Sequence, residues 1–251
     1  HCVCRMPSST CRAIMPHSRN SFSLSGPSRA LDPRINAMRG DLADVALAGK
    51  HFSPHYAKAV ERFCTVLHTP VYDKPGGRQV SELMAGEAFM LLDTSGGWAW
   101  GYCKHDHYVG YVLAEALAEC AQPIAETLPA NSVDAARHFV EKPYVWGGRG
   151  GAGIDCSGLI QRSMAAIGIS APRDSDRQRA SVGEALSEDA ILQSGDLIFF
   201  PGHVGMMVDG ENLIHATKHF GKTVIEPLTD VVGRIDEDHV TPVVARRRIR
   251  S

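Results

Sequence analysis

Residues 147–160 read Gly147-Gly148-Arg149-Gly150-Gly151-Ala152-Gly153-Ile154-Asp155-Cys156-Ser157-Gly158-Leu159-Ile160, and the rest of the fold is organised around them. The glycines free the loop to take conformations closed to other residues. Asp155 stands where a helix N-cap belongs, and Ile160, Met164 and Ile167 repeat at i, i+4 and i+7, one apolar helical face. Gly168 suits the C′ position that closes such a helix. The spacing therefore predicts a helix with Cys156 in its first turn. Unpaired N–H groups and the helix dipole favour an anion there, so the thiol pKa is expected to be lowered and the thiolate to act as a nucleophile. Taken alone, the segment fits a small buried core cysteine equally well.

The flanking sequence supplies partners. Asn131 or Ser132 caps a helix carrying Val133, Ala136, Phe139 and Val140, ended by Pro143. Downstream, Asp196–Phe200, His203–Val208 and Leu213–Thr217 are short apolar runs parted by Pro201-Gly202 and Asp209-Gly210, the pattern of antiparallel strands. A three-residue loop Val208-Asp209-Gly210, with Gly210 in the left-handed position, pairs Met207 with Glu211 and sets His203 directly opposite His215 on one face. A two-residue loop would put them on opposite faces. A histidine that takes a thiol proton needs a second group to hold its tautomer, and a neighbouring histidine can serve. A metal set of Cys156, His203 and His215 uses the same residue types, but needs an open fourth position or another ligand.

Residues 64–117 have a different texture. Short alternating apolar runs are broken by Lys74-Pro75-Gly76-Gly77 and Ser95-Gly96-Gly97, which indicates a small β-barrel. The chain divides into a Ser-, Arg- and Pro-rich stretch at 1–40, expected to be poorly ordered, and a segment at 41–63 without a clear assignment. The barrel (64–120), a linker (121–130) and a mixed helix–strand domain (131–251) follow. The 251 residues are 44% apolar and 22% charged, with net charge −2, which excludes a wholly disordered chain and a general attraction to nucleic acid or anionic membrane. No run approaches the roughly 18 apolar residues of a membrane span. Seven cysteines, an odd number in so long a chain, suggest free thiols. The first forty residues contain no apolar signal-peptide core, so a cytoplasmic location is expected, with cell wall or periplasm as the alternative.

Five stretches together resemble the NlpC/P60 family of cell-wall cysteine peptidases. They are Tyr144-Val145-Trp146-Gly147-Gly148, Asp155-Cys156-Ser157-Gly158-Leu159, Gly195-Asp196-Leu197-Ile198-Phe199-Phe200, Gly202-His203-Val204-Gly205-Met206 and Ile214-His215-Ala216. Gly96-Gly97-Trp98, Gly101-Tyr102 and Tyr108-Val109-Gly110-Tyr111-Val112 resemble a bacterial SH3-like domain. The resemblance implies an α+β, papain-like catalytic domain preceded by the small barrel. It implies Cys156 as nucleophile, His203 as base and then acid, His215 as the orienting third residue, and Tyr144 beside Cys156. Asp155 and Ser157 would meet the substrate's terminal amine, and the oxyanion would face backbone N–H groups at the helix start. The implied substrate is a murein stem peptide, cut between D-γ-glutamyl and a diamino acid without a metal or cofactor. A docked barrel would wall one end of the cleft, with Tyr111 toward the substrate terminus and free peptides with an L-Ala end preferred. A non-catalytic wall-peptide binding protein, and a papain-like amidase or acyltransferase on another acyl group, are the alternatives.

Three weaker signals have bland readings. His105-Asp106-His107 is expected to form a polar turn between barrel strands rather than a metal pair. Arg246-Arg247-Arg248 is expected in a solvated tail or edge strand. Trp98, Trp100 and Tyr111 either bind peptide or fill the barrel core. The resemblance also implies that Arg173-Asp174-Ser175 and Gln178 lie near the substrate channel, with no role assigned.

Overall fold

Two large sheets of different character and one short parallel pair make up the strands of the described residues. The computed structural model describes residues 30–120, 128–236 and 239–249, so Cys2, Cys4, Cys11, most of the 1–40 stretch and most of the linker lie outside the described residues. A parallel pair, β1 (Leu42–Asp44) and β2 (His55–Ala57), precedes β3 (Val60–Cys64), β4 (His68–Tyr72), β5 (Gln79–Met84), β6 (Ala88–Ser95), β7 (Trp98–Cys103), β8 (Val109–Leu113) and β9 (Leu117–Ala118). These seven form one antiparallel sheet in the order β5-β4-β8-β7-β6-β3-β9. Alternate residues Cys64, Val71, Leu83, Phe89, Ala99, Cys103 and Val112 bury into one cluster, so the sheet curls around its own core as the alternating pattern predicted. The barrel strands start at Val60 rather than Cys64, because Val60–Phe63 pair with Leu91–Ala88.

The second part holds α1 (Ser132–Arg137), α2 (Cys156–Ala165), α3 (Ser175–Ser181), β10 (Glu184–Ala185), β11 (Leu197–Phe200), β12 (His203–Met207), β13 (Asn212–Thr217), β14 (Lys222–Pro227), α4 (Leu228–Asp236) and β15 (Ala245–Arg248). The strand order is β10-β15-β11-β12-β13-β14. Helix α2 presses Leu159, Ile160 and Met164 against Leu197, Phe199, Val204, Met206 and Ile214 of the sheet, giving an α+β layer. Gly168, at φ +75°, ends the helix as expected: its N–H reaches the Ala165 carbonyl at 3.0 Å, and Ile169 N–H reaches Met164 at 2.9 Å.

Three expectations are corrected. The β12–β13 hairpin pairs Met207 with Leu213 and Met206 with Ile214, not Met207 with Glu211. Its loop is Asp209-Gly210-Glu211, held by the Asp209 carboxylate accepting from the N–H groups of Glu211 and Asn212, and Gly210 is not left-handed. The shift preserves strand parity, so His203 and His215 keep one face but sit diagonally rather than directly opposite. Arg246–Arg248 lie in β15, an interior strand between β10 and β11, and Arg248 is paired with Asp196 at 2.7 Å. The end of the supposed leader is folded: Arg34 binds Asp174 at 2.8 Å and Asp176 at 2.9 Å, and its carbonyl accepts from Val109 N–H.

The barrel is locked to the glycine loop by buried polar groups. Glu82 of β5 accepts from the N–H groups of Arg149 and Gly151, at 2.8 and 3.0 Å. The fully buried Arg149 guanidinium forks onto Glu87 at 2.6 and 3.0 Å and reaches the Glu82 carbonyl at 2.8 Å. Asp106, in the 105–107 turn, accepts from Gln161 of α2 at 2.8 Å. Breaking a buried ion pair strands its partner. Arg149→Met should therefore lower unfolding free energy by about 3 kcal/mol in urea titrations. A loss below about 1 kcal/mol would show that this lock does not hold the parts together.

Candidate active site

Cys156 is placed by its neighbour. Asp155 is extended (φ −102°, ψ 177°) and caps α2, its Oδ1 accepting from Gly158 N–H at 2.7 Å. Its Oδ2 accepts from Gly147 N–H at 2.8 Å, tying the glycine loop to the helix start. Arg173, 2% exposed, grips both oxygens, at 2.9 Å on Oδ1 and 2.6 Å on Oδ2. The same guanidinium donates to the Ser157 hydroxyl at 2.9 Å and to Ser81 of β5 at 3.2 Å. Gln178 of α3 donates to the Ser157 carbonyl at 2.8 Å. A Cβ on Gly158 would stand 2.3 Å from the Gly148 carbonyl oxygen, so only glycine lets helix and loop close this tightly.

The two histidines and Glu226 are in contact with one another. The Cys156 sulfur meets the backbone N–H groups of Val204 and Ser157, which sets the thiol against the start of β12, beside His203. His203 Nε2 lies 2.7 Å from His215 Nδ1. His215 Nε2 lies 2.8 Å from Glu226 Oε1, and Arg234 of α4 donates to the same oxygen. Burial pushes the Glu226 carboxyl up, but the hydrogen bonds from Arg234 and His215 outweigh it and hold the group below the usual carboxylate range. An ionised carboxylate only accepts, so His215 carries its proton on Nε2 and accepts at Nδ1. His203 then donates from Nε2, and its free Nδ1 lone pair remains for the thiol.

The thiol itself differs from expectation. Burial, and then the Asp155 charge, push Cys156 up to about 12, against the pull of the two N–H groups. Burial, followed by His215 and Arg234, brings His203 down to about 3. The resting pair is therefore neutral thiol and neutral imidazole. The helix start supplies donors, but desolvation of a buried sulfur outweighs them.

The expected substrate contacts divide. Asp155, Cys156 and Ser157 line a cleft of about 360 Å³ together with Arg34, Arg78, Tyr108, Trp146, Asp174, Ser175 and Asp176. Both Asp155 oxygens are already occupied, which makes it an anchor rather than an open amine site. Tyr144 packs on the core around Cys156, its phenol pushed up by burial and then by Cys156 and Asp155. Tyr111 does not reach the cleft. It lines a separate barrel cavity with Trp98, Trp100 and Arg39, and Trp100 is buried beneath the Arg39 guanidinium, 4.6 Å from the ring centre. The barrel residues on the cleft are Arg78, Val80 and Tyr108, and the Tyr108 hydroxyl reaches Asp174 at 3.1 Å.

Comparison with known proteins follows the same two parts. Residues 141–234 match the NlpC/P60 family model, and residues 71–117 match the bacterial dipeptidyl-peptidase Sh3 domain. The chain is 32% identical over 193 residues to dipeptidyl-peptidase 6 of Lysinibacillus sphaericus, covering 74% of this chain and 69% of that protein. The chain belongs to the NlpC/P60 family. It is also 36% identical over 103 residues to the gamma-D-glutamyl-L-lysine dipeptidyl-peptidase of Bacillus subtilis, 38% of this chain and 34% of that one. Among solved structures, an NlpC/P60 family protein from Bacillus cereus aligns with a TM-score of 0.42 at 23% identity, over 75% of this chain and 62% of that one.

Glu226 was missed from sequence, and Arg173 was singled out there without a role. Glu226 lies on β14, which pairs His215 with Val224 and so brings Glu226 to the His215 face two residues on. Reading Lys222–Pro227 as a strand would have found it.

The shifts fix how stability depends on pH. Unfolded His203 binds a proton below about 6.5 while the native residue resists until about 3, so stability falls as pH drops through that window. Unfolded cysteine ionises near 9 while native Cys156 holds its proton to about 12, so stability also falls as pH rises through that range. Denaturation midpoints across pH should show both limbs, with His203→Asn flattening the acid limb and Cys156→Ala the alkaline one. Unchanged limbs in both variants would contradict the neutral pair.

Proposed function

We propose that the chain is a cysteine endopeptidase that hydrolyses the bond between D-γ-glutamyl and a diamino acid in free murein stem peptides with an L-Ala terminus. The observation that carries it is the His203–His215–Glu226 relay, with one tautomer open to each histidine, on the strand whose Val204 N–H meets the Cys156 sulfur. As the Cys156 sulfur attacks the γ-carbonyl carbon, its proton passes to His203 Nδ1. Backbone N–H groups at the start of α2 face the developing oxyanion. The C–N bond then breaks, His203 returns the proton to the leaving amine, and a thioester remains on Cys156. Water, deprotonated by His203, hydrolyses that thioester to a free γ-carboxylate. Glu226 balances the imidazolium that forms in each half-reaction.

The glutamyl–diamino acid assignment is supported by the similarity to the gamma-D-glutamyl-L-lysine dipeptidyl-peptidase of Bacillus subtilis and by the Sh3 match on the barrel. The preference for a free N-terminus rests on the cleft. Tyr108 of the barrel closes over Asp174, and the acidic Asp174–Asp176 segment lines the same cavity as Cys156. Arg34 and Tyr108 brace this wall through Asp174 and Asp176, and a bulky glycan beyond the L-Ala would have to pass it.

Mass spectrometry of defined peptides provides the test. Free L-Ala-γ-D-Glu-L-Lys should be split into L-Ala-γ-D-Glu and lysine, while the same peptide on muramic acid is spared. Equal rates on both would overturn the free-terminus preference. Cys156→Ala should abolish cleavage, and His203→Ala should slow it about a hundredfold or more. Glu226→Gln keeps an acceptor for His215 and should lower kcat less than Glu226→Ala, with KM little changed. Wild-type kcat in Glu226→Ala would remove that residue from the site.

A further inference from the structure

We infer that Arg78, stacked on Trp146 in the cleft that holds Cys156, binds the free α-carboxylate of the γ-linked glutamyl residue and so selects acidic over amidated substrates. The inference rests on the γ-glutamyl endopeptidase reading. It starts from a contrast between cations. Arg34, on the same cleft, is saturated by three aspartates, and Arg173, buried behind Asp155, is taken up by that carboxylate. Among the described residues no carboxylate pairs with Arg78. Its guanidinium carbon lies 5.5 Å from the Trp146 ring centre, and Lys218 Nζ lies 5.5 Å from the same ring. Trp146 is 48% exposed, so two cations share one half-open indole at the cleft.

The placement is held from both sides. Arg78 N–H donates to the Asp73 carboxylate at 2.9 Å, which fixes the turn into β5 and thus the root of the side chain. Gly147, next to Trp146, has φ +76°, and a Cβ there would stand 3.1 Å from the Gln79 carbonyl oxygen, so the barrel backbone at Arg78–Gln79 is packed directly on the Trp146–Gly147 segment. Stacking on an indole orients the planar guanidinium and leaves its N–H edge free. A cation held at an indole face on a reaction cleft, without a carboxylate partner among the described residues, is suited to a ligand carboxylate, which accepts two parallel N–H bonds.

A γ-glutamyl linkage supplies that carboxylate. The chain runs through the side-chain carboxyl, so the α-carboxyl is left ionised a short aliphatic spacer from the carbon that Cys156 attacks. Amidation of that group removes its charge and one of the two acceptors that a guanidinium fork can use. Trp146 thus acts as a positioning residue for Arg78, and Lys218 adds to the positive potential over the ring.

The test uses two synthetic peptides that differ only there, L-Ala-γ-D-Glu-L-Lys and its α-carboxamide counterpart, with kcat/KM measured for the intact chain and its variants. The unsubstituted enzyme should favour the acid by roughly tenfold or more, the scale of a charged hydrogen bond. Arg78→Gln should bring the two peptides to within about twofold, mainly by raising KM for the acid, and Arg78→Lys should keep part of the preference. Arg78 is exposed, so thermal unfolding of Arg78→Gln should match the unsubstituted protein. Equal rates on both peptides in the unsubstituted enzyme, or a preference that survives in Arg78→Gln, would overturn the assignment. Cleavage of neither peptide would instead overturn the endopeptidase reading, and this assignment with it.

Discussion

A single buried guanidinium, that of Arg173, ties together the pieces on which the site depends. It holds both oxygens of Asp155, and through them the first turn of α2 and the glycine loop at Gly147. It also touches Ser81 on the barrel. Two charges of this kind are costly to desolvate, and the pair is tolerable only because nearly every lone pair and N–H finds a partner. In return, the backbone at Cys156 has little freedom. The sulfur is left against Val204 N–H, beside a histidine whose tautomer is set from the far side by His215 and Glu226.

The barrel is part of this construction rather than an appendage. Glu82 and Glu87 receive Arg149 from the glycine loop, Asp106 receives Gln161 from α2, and Tyr108 and Arg78 reach the cleft itself. The loop that precedes the nucleophile is thus clamped by barrel carboxylates. Its glycines supply close approach rather than mobility: at Gly148 and Gly158 an added Cβ would collide with backbone oxygens. A composite cleft follows, with one wall from each part, and its charges come from both.

Much of this was legible in the sequence where local chemistry decides. The Asp155 cap, the apolar face of α2, the Gly168 stop and the strands bearing His203 and His215 depend on neighbours within a few positions. Long-range pairings were not legible. Arg149 and Arg173 carry no local sign that they will be buried, and their partners lie up to 92 residues away. The hairpin register moved by two because Asp209 forms its own turn, a side-chain effect that residue counting does not see. Tyr111 and Tyr108 sit three apart on or beside one barrel strand, and which of them faces the catalytic part depends on docking rather than on alternation. The thiol pKa was misjudged for a related reason: the helix start is local, while burial comes from the whole fold.

The central claim is that Cys156 carries the glutamyl group as a thioester between two half-reactions. Intact-protein mass spectrometry after acid quench during turnover of L-Ala-γ-D-Glu-L-Lys tests it most directly. The account predicts an adduct of the L-Ala-γ-D-Glu acyl group, released by hydroxylamine and mapped to the peptide that contains Cys156. Product formation with no adduct under single-turnover conditions, or an adduct on any other residue, would contradict it.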